Sequence, residues 1–518
     1  MPEHSARFAR AQAVKSRPSY FREWEVLKGM EAGYVTLEPE KRLSASVKAV
    51  AETPVATGEE VKKPLSLSAA VFPLSAEQRE DGTFVRARAV FAFVYLAENG
   101  CKKSESVAEV EGLLPLKGKA TVSLSLSDVR YSRGEQGFTA YAAVLISGET
   151  VEKEQVSCVT GGDGAFVKEK TETIETGTGI TTGSLLLEDE FELNYPVENV
   201  LSHREEVSVT KVQGGISSVI AEGEVAVYLA VMPLAENGEI VREKRKIPFR
   251  CEFENGGALP TMKARCDAEI RKVAFRVATD DVKNRSVVSS EISLGFYGEA
   301  TDEQSVTVAA DLYSRTAKLE SERTDISSSL FFGQKTERVN VSEKSTGEIP
   351  EGGRLIAPLG ERILSWSVTE REGFVTVDGI AKADLLFRNG DNGITSVPSE
   401  TPFSIDLAVE GKACGIRLHA EDFSPKLRGG AIETDFTVVI SYCDYGEKKI
   451  SCISAVTETG ERERSDAAIG IFLPKKGDEL WDVAKQLGED GDFIAKLNPD
   501  LTFPLTGEER IVIYRQKK

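Results

Sequence analysis

One pattern occurs three times in this chain and restricts its fold more than any other feature. In each copy, polar and apolar residues alternate and then run into an Asn-Gly step. Alternation with a period of two is typical of a half-buried β-strand, and Asn-Gly favours the tight turn of a β-hairpin. The three copies are Phe84 to Gly100, Val219 to Gly238 and Phe374 to Gly393.

A second landmark follows each copy at a similar distance. A Gly-Glu pair ends a further apolar strand pattern at Gly148, Gly298 and Gly446. The spacing between successive copies is far longer than the repeat of a solenoid and suits a whole domain. We therefore expect a mainly β protein built from three diverged copies of one domain.

The sequence divides into five parts. Residues 1–25 form a basic segment, residues 26–175, 184–323 and 336–464 hold the three repeats, and residues 469–518 form a different C-terminal part. The Gly- and Thr-rich stretch from Thr176 to Gly183 is interpreted as a linker. The charged stretch from Ser314 to Lys335 is compatible with a short helix, whereas Arg265 to Val277 is predicted to be a strand, as in the other copies.

Composition and charge argue against several classes of partner and location. The chain has 518 residues and a net charge of −19, so its surface repels nucleic acid and anionic lipid. No run of about 20 apolar residues predicts a membrane span, and the N-terminus shows no signal peptide, so we expect a cytoplasmic protein. The seven cysteines are scattered and include no CxxC pair, which favours a reducing compartment without a disulfide framework.

Motifs of catalysis are not found in the sequence. The three histidines are far apart and none lies in an HExxH motif, so we expect no metal site and no histidine-dependent catalyst. The nearest approach to a phosphate-binding loop, Gly112 to Ala120, is one residue too long, and Ala120 lacks the hydroxyl that would hold magnesium. We therefore predict neither a cofactor nor an enzymatic activity.

The C-terminal part has a β-α-α-β pattern. Ile469 to Leu473 and Arg510 to Tyr514 are predicted to be strands. Asp478 can cap a helix that runs to about Leu487, and a second short helix covers Asp492 to Leu497, before Pro499. We call residues 469–518 the C-terminal module.

The motifs KKGDEL, WDVAKQL and LNPDL in this module resemble the LysM domain. In LysM domains two loops border a shallow groove that binds sugar or a partner protein. The resemblance implies that the groove here is formed by nine residues, which are Gly477, Asp478, Glu479, Leu480, Trp481, Asn498, Pro499, Asp500 and Leu501. Glu479 stands where the family usually has Thr or Ser, and its charge favours a protein partner over a glycan.

Trp481 is one position off the apolar stripe of the first helix. Part of its indole can therefore stay exposed, where it would stack on a sugar ring or anchor a protein interface. The alternative is that the ring covers a small core, because a module of this size has little else to bury.

The repeat hairpin, clearest at Val219 to Phe253, resembles the SPOCS domain of spore-coat proteins. Three such repeats followed by one LysM domain resemble the SipL-type morphogenetic proteins of endospore formers. This resemblance implies three β-sandwich-like domains and a non-enzymatic scaffold. It also implies that the LysM domain binds the coat-basement protein, a SpoIVA-like ATPase, in the mother-cell cytoplasm at the forespore surface.

Two other functions remain open from the sequence. A LysM groove could bind peptidoglycan through its N-acetylglucosamine chains, in the cell or spore envelope. An enzyme could also work with carboxylates alone, as many glycosidases do, but no pair of acidic residues stands out.

Overall fold

The computed structural model describes residues 24–27, 30–135, 137–234, 239–280, 285–390, 393–463 and 467–514. The protein is mainly β, as predicted, with twenty-four strands and two short helices among these residues. Nearly all of the basic segment 1–25 lies outside the described residues, and so do Asn237 and Asn392 of the predicted hairpin turns.

The first repeat contains two three-stranded antiparallel sheets that share one apolar core, which we call lobe 1 (residues 40–153). The sheet orders are β4-β5-β6 and β3-β8-β7. The predicted turn at Asn99 joins β5 to β6, since Ala97 pairs with Gly100. The strands of this part are β1 (Trp24–Leu27), β2 (Met30–Leu37), β3 (Glu40–Val55), β4 (Lys63–Arg79), β5 (Gly82–Ala97), β6 (Gly100–Leu114), β7 (Ala120–Gly134), β8 (Gly137–Lys153) and β9 (Val156–Gly162).

The second repeat has the same strand order, with sheets β12-β13-β14 and β11-β16-β15, in what we call lobe 2 (residues 181–299). The prediction of a strand over Arg265 to Val277 is confirmed, because this stretch lies in β15. The strands are β11 (Thr181–Leu193), β12 (Val197–Gly214), β13 (Ser218–Pro233), β14 (Val241–Glu254), β15 (Lys263–Asp280) and β16 (Arg285–Ser314). They are preceded by β10 (Ala165–Gly177), which lies mostly in the predicted first repeat. The predicted linker from Thr176 to Gly183 is therefore too long, because only residues 178–180 separate β10 from β11, and both strands pair with β16.

The third repeat, lobe 3 (residues 334–444), has sheets β18-β19-β20 and β17-β22-β21. The prediction of a short helix within Ser314 to Lys335 is wrong, because most of this stretch lies in β17, which begins at Ala317. Pairing with β22, far along the chain, outweighs the local helical preference of these charged residues. The strands are β17 (Ala317–Ser345), β18 (Arg354–Arg371), β19 (Phe374–Arg388), β20 (Ile394–Ala408), β21 (Lys412–Arg428) and β22 (Ala431–Glu461).

Strands that enter and leave the lobes continue as three antiparallel ribbons, which we call the stalk. The ribbons are β2 with β9, β10 with residues 301–314 of β16, and residues 317–331 of β17 with residues 445–461 of β22. Their apolar faces pack into two neighbouring clusters, and all three ribbons contribute to each of them. Each predicted repeat therefore supplies one lobe and strands of the shared stalk.

A disulfide between Cys158 and Cys452 joins the first ribbon to the third, with 5.9 Å between the two Cα atoms. The cysteine pattern predicted a reducing compartment without a disulfide framework, and this one disulfide departs from that prediction. The two cysteines are separated by 294 residues, and only the pairing of the ribbons brings them together. The other five cysteines are free.

The C-terminal module folds as β23 (Ile469–Phe472), α1 (Leu480–Leu487), α2 (Gly491–Leu497) and β24 (Ile511–Tyr514). The two strands form a small antiparallel sheet, and both helices pack on one of its faces. This order is the predicted β-α-α-β order, while membership of the LysM family stays a prediction. Neither of these short helices has the length and apolar character that crossing a membrane requires.

Candidate functional site

The first loop of the predicted groove is fixed by a helix cap. Glu479, and not Asp478 as predicted, is the N-cap residue of α1, with its backbone N–H donating to Asp482 Oδ2 at 2.9 Å. The Asp478 carboxylate instead accepts a hydrogen bond from the backbone N–H of Lys475 at 2.8 Å. Asp478 thus stabilises the turn before the helix, and Glu479 begins the helix.

The second loop is tied to the first by backbone hydrogen bonds. Gly477 N–H donates to Leu505 O at 2.8 Å, and Leu505 N–H donates to Asp478 O at 3.0 Å. The Asn498 side chain connects α2 to β24, because its amide donates to Ile494 O and Val512 O, each at 2.9 Å. Asn498 therefore has a structural role in this arrangement.

The nine predicted groove residues do lie together, but they differ in exposure. Leu480, Trp481 and Leu501 pack against the core of the module, whereas Gly477, Glu479, Pro499 and Asp500 are exposed. The exposed members present a polar surface with two carboxylates and without an aromatic ring.

Trp481 contacts the stalk. Its indole Nε1–H donates to Asp311 Oδ2 at 2.8 Å, and its ring meets the Tyr313 ring edge to face, with 5.0 Å between the ring centres. Asp311 and Tyr313 belong to β16, in the part that forms the stalk. The side chain predicted to be half exposed is thus half-buried between the module and the body of the protein.

Asp311 is the electrostatic centre of this contact. Its carboxylate also accepts from Lys485 Nζ, with distances of 2.6 and 2.8 Å to its two oxygens. Burial alone raises the pKa of Asp311, but the hydrogen bonds from Lys485 and Trp481 outweigh this effect, so its pKa lies below the ordinary value. The carboxylate is therefore charged at neutral pH and holds two residues of α1 that are one helical turn apart.

Further hydrogen bonds fix the end of α1 to the stalk. Tyr313 OH donates to Glu489 O at 2.7 Å. Arg462 donates from Nη2 to the carbonyl oxygens of Lys485 and Gln486, at 2.6 and 2.9 Å. A cation at these last carbonyl groups is favoured because they carry the negative end of the helix dipole. The module is consequently held on the stalk at both ends of its first helix.

The three Gly-Glu landmarks lie at the junction of lobes and stalk. A Cβ atom at Gly148, Gly298 or Gly446 would come within 2.6 to 2.9 Å of a neighbouring atom. Since real Cβ atoms do not approach so closely, each position accepts only glycine without a shift of its neighbours. The repeated glycine is thus explained by close packing of the last lobe strand.

Glutamates of two landmarks take part in a buried ion network. Glu299 is 1% exposed and accepts from both Arg265 Nε, at 2.6 Å, and Arg42 Nη2. Arg265 also pairs with Glu149 at 3.0 Å, and the Arg42 guanidinium lies 4.5 Å from the centre of the Tyr445 ring. Burial raises the pKa of Glu299, but the two arginines outweigh it and keep the pKa below its ordinary value. This network joins residues from the three repeats.

The lobes surround a cavity of about 1470 Å³. All three contribute to its lining, for example through Phe72, Tyr228 and Ile416. A separate apolar cluster that includes Leu65, Leu201 and Leu359, from lobes 1, 2 and 3, joins the lobes to one another. The three lobes therefore form a continuous body and are not strung out along the chain.

Sequence reasoning missed Asp311, Tyr313 and Arg462, which anchor the module. None of them lies in the motifs of the module, and Asp311 is 170 residues from Trp481. Their sequence surroundings are ordinary strand and loop residues, so no local signal could have found them.

The described residues contain no group of three or more His, Cys, Asp or Glu side chains that could hold a metal ion. Comparison with known proteins found no matching family model, no matching curated protein and no matching solved structure. The functional argument therefore depends on the residues and their geometry.

Proposed function

We propose that this chain is a non-enzymatic scaffold of spore-coat assembly, located in the mother-cell cytoplasm at the forespore surface. The C-terminal module docks on a coat-basement protein, a SpoIVA-like ATPase, and the three lobes supply the body of the scaffold. The resemblance to SPOCS and LysM sequences supports this proposal, as does the joining of all three repeats into one body.

The observation that carries the proposal is the attachment of the module to the stalk. Trp481 and Lys485 share Asp311, so the module has a fixed orientation relative to the lobes. A binding domain that is already ordered loses less conformational freedom when it meets its partner. This arrangement suits a docking element of an assembly, in which the position of one protein determines the position of the next.

The same contact makes glycan binding less favourable. Stacking on a sugar needs an accessible aromatic face, and the Trp481 ring is packed against Tyr313. A glycan that used this ring would first have to break the hydrogen bond to Asp311.

The test is a binding measurement with the purified full chain. Its affinity for the purified coat-basement ATPase is measured by isothermal titration calorimetry, and its sedimentation with purified peptidoglycan is measured in parallel. Saturable binding to the ATPase without sedimentation supports the proposal. Sedimentation with peptidoglycan and no heat of binding to the ATPase would contradict it.

A further inference from the structure

The first ribbon of the stalk, β2 with β9, is the ribbon that is least continuous with its lobe. Both of its strands are interrupted where they leave lobe 1, since residues 38–39 separate β2 from β3 and residues 154–155 separate β8 from β9. In the third ribbon, β17 and β22 each run without a break from lobe 3 into the stalk. The second ribbon has one such unbroken strand, β16. The position of the first ribbon therefore depends mainly on its packing against the other two.

The disulfide lies within this packing. Cys158 of β9 and Cys452 of β22 are both 0% exposed, and both belong to one apolar cluster of the stalk. Their neighbours in that cluster are aliphatic, for example Val156, Val308 and Ile450. An unoxidised cysteine packs as a small hydrophobic residue. The two side chains can therefore complete this contact as thiols, so the packing of the stalk does not require the covalent bond.

The covalent bond adds a constraint that packing alone does not supply. Folded proteins open locally where an element is held by few contacts, while the rest stays folded. Without the bond, the first ribbon can leave the stalk in this way, whereas the bond keeps β9 tied to β22. The distance of 5.9 Å between the two Cα atoms lies within the usual range for a disulfide. The packed ribbons therefore already hold the two cysteines where the bond can form.

The proposed location determines when this bond can exist. The reducing systems of a cytoplasm keep cysteines as thiols, and disulfides persist outside such a compartment. A protein that is built into a spore coat is made in the cytoplasm and ends outside it. The two cysteines therefore meet a reducing environment during assembly and an oxidising one afterwards.

We propose that Cys158 and Cys452 form a redox lock of the stalk. They are a pair of thiols while the protein assembles in the cytoplasm, and the first ribbon can then open. Oxidation outside the reducing compartment joins them and closes the ribbon onto the stalk. The timing of this step rests on the proposed function, whereas the lock itself is a property of the chain.

A peroxide is the class of oxidant that balances the reaction. Hydrogen peroxide oxidises one thiol to a sulfenic acid and releases one water molecule. The sulfur of the second thiol then attacks the sulfenic sulfur, which forms the S–S bond and releases a second water molecule. In total, the two thiols lose two hydrogen atoms and two electrons, and one peroxide is reduced to two water molecules.

The test uses the purified full chain in two forms. One form is reduced with dithiothreitol under argon, and the other is oxidised with one equivalent of hydrogen peroxide after the dithiothreitol has been removed. Ellman's reagent in denaturant should find seven free thiols in the first form and five in the second. Peptide mapping by mass spectrometry identifies the linked pair, because the free Cys414 and Cys443 also stand opposite each other on β21 and β22.

Hydrogen exchange of backbone amides, measured by mass spectrometry, then reports how often the first ribbon opens. Exchange over residues 30–37 and 156–162 should be at least about tenfold slower in the disulfide form than in the dithiol form. Exchange over residues 138–153, in β8 of lobe 1, should be the same in both forms. The circular dichroism spectra should also agree, because the dithiol form is already folded.

Two variants separate the lock from other effects of oxidation. Cys452→Ala keeps the site apolar but cannot form the bond. Its first ribbon should exchange at the rate of the dithiol form, with or without peroxide. Cys414→Ser is the matched control, because Cys414 is a half-buried free cysteine, and its first ribbon should respond to peroxide like that of the wild type.

Three results would overturn the inference. The first is a dithiol form that lacks the circular dichroism spectrum of the disulfide form, because the bond would then be needed for folding. The second is that peroxide leaves all seven thiols free, or links Cys414 to Cys443 in place of the proposed pair. The third is equal exchange of the first ribbon in both forms. None of these measurements uses the coat-basement ATPase, so failure of the lock is distinguishable from failure of the proposed function.

Discussion

Replacing Arg265 by methionine should destabilise the body of the protein strongly. Arg265 is 5% exposed and pairs with Glu299 at 2.6 Å and with Glu149 at 3.0 Å. Methionine has a similar shape but carries no charge. The substitution would leave Glu299, which is 1% exposed, with Arg42 alone, and would remove the salt bridge of Glu149 to Arg265.

The expected magnitude follows from the burial of these charges. Breaking a buried ion pair by removing one partner costs about 3 to 5 kcal/mol, because the remaining charge stays out of water. Since Arg42 still neutralises part of the Glu299 charge, we expect a loss of about 3 kcal/mol in the free energy of unfolding. Arg86→Met is the matched control, because Arg86 is 43% exposed and forms two ion pairs with exposed glutamates. An exposed pair contributes only about 0 to 1 kcal/mol.

The assay is urea unfolding followed by circular dichroism, with the midpoints of wild type and both variants converted to free energies. Arg265→Met should lower the midpoint far more than Arg86→Met does. Equal shifts in the two variants would refute the reasoning, since the buried network would then contribute no more than a surface pair. A second unfolding transition in Arg265→Met alone would show that the network also couples the lobes.

Three further predictions concern the stalk. Asp311→Asn should weaken the attachment of the module to the stalk by about 1 to 2 kcal/mol, because it removes the charge that Lys485 and Trp481 share. Proteolysis between lobe 3 and the module should then be roughly tenfold faster than in the wild type, whereas Asp500→Asn should be cleaved at the wild-type rate. Cys158→Ser should lower stability by about 2 to 4 kcal/mol, and reductant should destabilise the wild type but not this variant. Burial raises the pKa of Glu175 to about 7, above its ordinary 4.5, so the folded state binds the extra proton. Stability should therefore fall as pH rises between these values, and Glu175→Gln should remove that fall in urea unfolding measured across this range.

Much of the strand pattern could be predicted because it is local. In β8, alternate residues from Phe138 to Thr150 are buried, as the period of two requires. The strand at Arg265 to Val277 could be predicted from the other copies, although its own pattern is imperfect. The first helix of the module could be predicted from its apolar stripe, and the end of the second from Pro499.

The stalk could not be predicted, because its strands pair across long separations in sequence. Residues 317–331 are charged and without a clear period, yet they pair with residues 445–461. The disulfide between Cys158 and Cys452 depends on the same long-range packing.

The candidate site was only partly predictable for the same reason. The position of Trp481 beside the apolar stripe indicated a ring that has another contact besides the core. The identity of that contact, Asp311 and Tyr313 on β16, depends on how the module meets the stalk. The exposure of Ile469, Ile471 and Leu473 could not be predicted either, because residues of this type in a strand are usually part of the core.

The most direct test of the scaffold function is the location of the protein in a sporulating cell. A fluorescent fusion of the full chain would be imaged in an endospore former, with and without its coat-basement ATPase. Our account predicts a ring around the forespore that becomes diffuse in the mother cell when the ATPase is removed. A ring that persists without the ATPase, or fluorescence at the cell wall, would contradict it.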